Sequence, residues 1–256
     1  MDVTALFNAL FRWIHIAAGI LWIGLLYFFN FVNGPFAGTM DGETKKKVVP
    51  ELMPRALYWF RWGAAFTWFT GILLLFIVFY HGGLMYGEQE SGINEVGVGL
   101  ATLALIVIGV FLYDFMAKSG LAKNVKVFAA VCFVLTTLLI YVMCAVAEFG
   151  YRAYVIHTGT LFGSIMAFNV WFRIWPSQKK IIAAVKEGTP PDAAMVALAG
   201  SRSRQNTYMS VPLVWTMIDA HTSPPADNWL YLPGVILIGF ALVYMVFKKA
   251  TKVKGF

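Results

Sequence analysis

Charge is what this chain lacks. Asp, Glu, Lys and Arg make up only 13% of it, while 59% is apolar. A soluble domain of this length carries about twice that share of charge, so a water-soluble globule is excluded. Cysteine is nearly absent too. Cys132 and Cys144 share one apolar run, about 18 Å apart along a helix, so they cannot form a disulfide. No CxxCH occurs, which excludes covalently attached c-type haem. No Walker loop occurs, and no GxGxxG follows a strand. The last apolar run, NWLYLPGVILIGFALVYMVF, has no lysine, which removes retinal Schiff-base chemistry. Carboxylates avoid the middles of the runs: Asp114, Glu148 and Asp219 all sit near run ends, leaving little for an ion or proton pathway. The N-terminus has no basic n-region, and its apolar run is long enough to span by itself, so no cleavable signal is expected.

What is present is a series of apolar runs of membrane-spanning length. They predict an all-α integral membrane protein, about seven transmembrane helices in one bundle, forming a single helical membrane domain over residues 1–256. The spans fall at about 8–33, 58–80, 96–117, 126–148, 151–175, 205–220 and 229–247. The sixth is short and is interrupted by Pro212, whose freed carbonyl neighbouring helices can satisfy. The connector 176–204 is expected to be cytoplasmic and to hold two short helices. The first, KKIIAAVK, is basic and amphipathic and suits the membrane surface. The second would be capped by Thr189 with Pro190 and Pro191 in its first turn.

Every Lys and Arg except Arg12 and Arg152 falls at or beyond one end of the spans, whereas the loop HGGLMYGEQESGINE at the other end has none. By the positive-inside rule this puts the N-terminus outside and the C-terminus inside. The expected location is a multi-pass position in a bacterial inner membrane, in contact with lipid. The net charge of +7 is therefore a topology signal, and nucleic acid is not expected as a partner.

The two exceptional arginines each precede a histidine, in RWIH and RAYVIH. With the predicted topology His15, His81, His157 and His221 all fall in the outer half of the membrane. A haem held between helices needs two histidines at similar depth. His15 and His157 are the expected axial ligands, with His221 and His81 in reserve for a second haem or for substrate. Arg12 and Arg152 are placed to meet the propionates; Arg12 shares the helical face of His15. Gly19, Gly159 and Gly163 could admit a flat macrocycle, although small residues in spans also serve helix packing. Copper handling is an alternative, with Met85, Met143, Met209, Met217 and His221 as soft ligands. Simpler roles also stand: the arginines as snorkelling cations, the histidines as hydrogen-bonded interfacial residues.

The stretches RWIHIAAGILWIGLLYFFNFVN, RALYWFRWGAAFTWFTG, IHTGTLFGSIMAFNVWFRIWPSQKK and RSRQNTYMSVPLVWTMIDAH resemble the membrane domain of bacterial membrane-bound urate hydroxylases, the urate oxidase N-terminal domain family, over about 8–225. The resemblance implies a helical membrane domain associated with oxidation of urate to 5-hydroxyisourate. Electrons in that family pass to a cytochrome c domain fused at the C-terminus, and the matching histidines here are His15, His157 and His221. This sequence is expected to end inside the cell at KKATKVKGF without such a domain, so the acceptor would be a separate periplasmic cytochrome c. The expectation is a b-type haem redox protein of urate hydroxylase type. The alternative is a non-catalytic haem or assembly subunit of a respiratory complex.

Overall fold

The computed structural model describes residues 3–86, 94–222 and 228–253. Parts of the 81–95 loop, the residues Ser223, Pro224 and Pro225 after His221, and the last three residues lie outside the described range. The described residues contain no strand, and the all-helical expectation holds. The long helices are α1 (Val3–Thr39), α2 (Gly42–Tyr80), α3 (Glu95–Lys118), α4 (Val125–Val146), α5 (Tyr151–Glu187), α6 (Ala193–Asp219) and α7 (Tyr231–Ala250). Six of them are long and apolar enough to cross a membrane; α6 is not among these.

The helices run further than hydropathy alone predicts. α2 begins at Gly42, well before its apolar part, and passes through Pro50 and Pro54. The region 176–204 does not form two separate short helices. Its first half is a continuation of α5 to Glu187, and its second half is the start of α6. Gly188 turns the chain in the left-handed conformation at φ 76, a geometry that favours glycine at a helix C-terminus. The cap of α6 is Asp192, whose side chain accepts from Ala194 N at 2.8 Å. Thr189 instead donates back to the Ala184 carbonyl and closes α5.

α5 and α6 form the centre of the bundle, with α1 and α2 paired on one side, α7 against α6, and α3 against α5. Small residues set the closest approaches. A Cβ on Gly63 of α2 would meet the Trp22 backbone N at 3.3 Å, and one on Gly239 of α7 would meet Pro212 Cδ at 2.9 Å. The position of α6 explains its polarity. Arg202, Asn206, Thr207, Ser210 and Thr216 are fully buried, so their partners must be protein. Asn206 accepts from Asn169 Nδ2 at 2.8 Å and donates to the Met166 carbonyl at 3.0 Å. Gln205 accepts from Tyr113 OH at 2.6 Å, Ser203 from Asn30 Nδ2 at 2.8 Å, and Tyr27 OH from Ser210 Oγ at 3.0 Å.

At the end of the bundle rich in Lys and Arg, Asp114 of α3 gathers three cations. Arg173 of α5 approaches through Nε at 2.8 Å and Nη2 at 2.5 Å. Arg202 of α6 donates from Nη2 at 2.9 Å, and Lys118 lies at 2.7 Å. Asp114 and Arg202 are both buried. A buried charge without its partner is costly, so this carboxylate locks α3 to α5 and α6.

Candidate functional site

At the opposite end a cleft opens between α1, α2, α5 and α6. Its walls include Arg12, His15, Thr67, Gly71, Gly159, Gly163, Met217 and His221. The cleft has a cavity volume of about 130 Å³. That is smaller than is typical of cofactor and ligand pockets, about 300–1,000 Å³.

His15 is set into this cleft by α2. Its Nδ1 lies 2.8 Å from the Thr67 carbonyl and 3.3 Å from Thr70 Oγ1. A carbonyl only accepts, so Nδ1 carries the proton and Nε2 is the lone-pair nitrogen of the neutral ring. Nε2 has no hydrogen-bond partner among the described residues. Gly71 makes the arrangement possible: a Cβ there would lie 2.9 Å from His15 Cε1. On the far wall, a Cβ on Gly159 would meet Thr216 Oγ1 at 2.3 Å and Met217 Cε at 2.7 Å, so α5 and α6 touch through their small residues. Gly163 also lines the cleft, whereas Gly19 faces Thr67 in the α1–α2 contact. On the exposed side, Trp68 Nε1 donates to Ser164 Oγ at 3.0 Å and ties α2 to α5.

A π-helical stretch ends α2 at Leu75–Tyr80. Leu75, Val78 and Phe79 face the cleft, and Tyr80 reaches His157 instead. Such turns are frequent at functional sites, where they shift which side chains share a face.

His157 is not brought to His15. It is fully buried and absent from the cleft lining, where its neighbours Ile156, Gly159 and Thr160 stand. Its Nδ1 donates to the Ala153 carbonyl at 2.7 Å, and its Nε2 accepts from Tyr80 OH at 3.0 Å. Phe79, Tyr80 and Phe149 surround the ring. Both nitrogens are committed and the ring faces aromatic core. The expected His15–His157 pair is therefore not assembled, because the helical face of α5 that carries His157 looks away from the cleft.

His221 does line the cleft, just beyond the end of α6. Its pKa is held below the ordinary imidazole value, first by burial and then by the positive charges of Arg12 and Arg152. Those two arginines thus share a field with His221. Arg12 lines the cleft and donates from Nε to Asn8 Oδ1 at 2.7 Å; Arg152 is exposed beside it. His81 ends α2, with its backbone N bonded to the Phe76 carbonyl, and takes no part in the cleft lining. Asp219 fixes the approach of the chain to His221. It accepts from Tyr151 and Tyr231 hydroxyls at 2.5 Å each, from Trp215 Nε1 at 3.0 Å, and from Thr222 Oγ1 at 3.0 Å.

Among the described residues no group of three or more His, Cys, Asp or Glu gathers as a metal cage. Of the soft ligands considered for copper, only Met217 and His221 line the cleft; Met85, Met143 and Met209 are buried in the core. The sequence reading missed Thr67, Thr70 and Gly71. The spacing of the two threonines and the glycine along one face of α2 was the available signal. Of the residues expected to hold a haem, His15 keeps an open Nε2 and Arg12 stands at the cleft with it, whereas the pair His15 and His157 is not brought together.

No curated protein and no solved structure matches this chain. A family model described as urate oxidase N-terminal matches residues 36–255. The match takes in α2 to α7 and stops short of Arg12 and His15 on α1. It covers most of the chain, and the protein therefore belongs to the urate oxidase N-terminal family.

Proposed function

We propose that this chain is the membrane redox module of a urate-hydroxylating system and holds haem b in the cleft at its histidine end. The observation that carries the reading is His15. Its Nδ1 is occupied by the Thr67 carbonyl, which leaves Nε2 basic and unpartnered, the form in which histidine ligates iron. Arg12 and Arg152 would hold the propionates by charge-assisted hydrogen bonds. Gly159 and Gly163 line the opposite wall, where they pack against Thr216, Met217 and Leu213 of α6. Bound there, haem b would supply one-electron transfer. The reaction takes urate and water to 5-hydroxyisourate, two protons and two electrons, and two ferric cytochrome c molecules take one electron each.

The chain's own residues orient and insulate this site. Thr67 fixes the tautomer of His15, and the Trp68–Ser164 bond keeps α2 and α5 together across the open side. With the Lys- and Arg-rich end in the cytoplasm, the cleft faces the periplasm of a bacterial inner membrane. There a soluble cytochrome c, or a respiratory complex, can dock.

The test is a reduced-minus-oxidised visible spectrum of the purified protein. A sharp b-type α band is expected, lost in His15→Ala and kept in His157→Gln. A colourless wild-type preparation from haem-replete cells ends the haem reading. A coloured protein that urate does not reduce, with exogenous cytochrome c present, ends the urate assignment alone.

A further inference from the structure

A second site is built on the surface of the Lys- and Arg-rich end, away from the cleft. Arg61 of α2 lies with its guanidinium carbon 4.0 Å from the centre of the Trp175 ring of α5 and 5.4 Å from that of Tyr58. Lys179, one turn beyond Trp175, places its Nζ 5.8 Å from the same indole. Two cations thus share one aromatic ring, an arrangement in which the ring quadrupole offsets part of their mutual repulsion.

The backbone beneath is fixed: Trp171 Nε1 donates to the Arg61 carbonyl at 3.1 Å, and Trp171 packs edge-on against Trp62 at 5.5 Å. The guanidinium is held in place, yet its hydrogen-bonding capacity is unused. Nε is buried without a partner. Neither Arg61 nor Lys179 belongs to an ion pair among the described residues. Asp114, the buried carboxylate at this end, is already shared by Arg173, Arg202 and Lys118.

The surroundings identify what the missing partner is. Tyr58, against which Arg61 rests, is exposed, as are its neighbours Trp59 and Trp62 on α2 and Phe172 on α5. Exposed Trp and Tyr mark the membrane–water interface. A planar guanidinium at that depth matches phosphate oxygens bidentately, and the exposed apolar side chains beside it suit acyl chains.

We propose that Arg61, Trp175 and Lys179 form a binding site for the headgroup phosphate of an anionic phospholipid in the cytoplasmic leaflet. The stacked guanidinium supplies directed N–H donors, Lys179 supplies a second charge, and Trp59, Trp62 and Phe172 receive the chains. The site spans α2 and α5, which also carry the cleft, but it does not depend on the redox reading.

Native mass spectrometry of the detergent-solubilised full chain, titrated with phosphatidylglycerol or phosphatidylcholine, tests this. One phosphatidylglycerol should bind in clear preference to phosphatidylcholine. Arg61→Gln removes charge-assisted hydrogen bonds and should weaken that binding roughly tenfold. Lys179→Gln, at an exposed position, should weaken it to a smaller extent without altering thermal stability. Lys248→Gln is the control: Lys248 also stacks on an aromatic ring, that of Tyr244 at 4.7 Å, and its loss should leave the preference intact. Equal affinity in wild type and both Arg61→Gln and Lys179→Gln overturns the proposal. So does an equal loss in Lys248→Gln, which would reduce the effect to general surface charge. Displacement of the lipid by inorganic phosphate at fixed ionic strength would assign the site to a soluble anion instead.

Discussion

The two ends of the bundle centre on different charges: a shared carboxylate at the basic end, and at the other a cleft lined by an arginine and two histidines. At the basic end, Asp114 is wrapped by Arg173, Arg202 and Lys118, and Asn169–Asn206 and Tyr113–Gln205 pair between helices, although Arg61 Nε, Asn169 Oδ1 and two Arg202 nitrogens stay without a partner. At the histidine end, His15 has one nitrogen bonded and one open, and Arg12, Arg152 and His221 gather at a cleft mouth with no carboxylate among the cleft-lining residues. In an apolar bundle an unpartnered polar group is expensive. Groups that satisfy one another hold helices together; groups left open are available to a ligand. His157 makes the same point within the histidine end. It looks as notable in sequence as His15, yet its two hydrogen bonds make it part of the core.

The largest expected effect breaks the basic end. Asp114→Asn leaves the buried Arg202 guanidinium and the half-buried Arg173 without their counter-charge and should cost about 3–5 kcal/mol, read as a lower unfolding midpoint in detergent. The spectrum of the protein that remains folded should be unchanged. A loss no larger than that of a surface substitution would deny Asp114 its locking role.

Gly71→Ala attacks the histidine end. Its new Cβ would press on His15 Cε1 from 2.9 Å, and such overpacking costs about 1–3 kcal/mol. The diagnostic readout is the α band, which should shift or vanish. An unaltered band would mean that His15 is not the iron ligand in that position.

Tyr80→Phe removes the hydroxyl that His157 accepts from, and should cost about 1 kcal/mol with no spectral change. A shifted α band in this variant would return His157 to the ligand set. Glu148, in the turn between α4 and α5, has φ 54, a conformation unfavourable for a side chain with a Cβ. Glu148→Gly should stabilise the protein by about 1 kcal/mol, seen as a higher midpoint with the spectrum intact.

The smallest effect concerns Asp41, which caps α2 by accepting from Thr44 N at 2.8 Å. That bond holds its carboxyl below the usual carboxylate range. The folded pKa is depressed, so the stabilisation is present above the ordinary carboxylate pKa and is lost as pH falls through the folded value. Asp41→Ala should speed amide exchange at the start of α2 at neutral pH and make no difference in strong acid.

Much of the fold was legible in the residues. Apolar runs with clustered Lys and Arg gave an all-helical membrane protein, and the weak sixth run coincides with α6. Its weakness has a cause: α6 lies inside the bundle, so its hydropathy reports contact with protein rather than lipid. The extents of α2 and α5 were not legible, because their amphipathic ends carry no hydropathy signal beyond the apolar part. Of the candidate site, RWIH pointed to Arg12 and His15, and both line the cleft; RAYVIH pointed to His157, which packs in the core instead.

Sequence by itself determined the helical class, the segregation of basic residues to one end and the family, since all three follow from residue type and order. Which nitrogens stay open, which glycine admits His15 and which face of α5 meets the cleft were decided only by tertiary packing. Helices repeat every 3.6 residues, and a rotation of less than half a turn separates a histidine that faces a cleft from one sealed in the core.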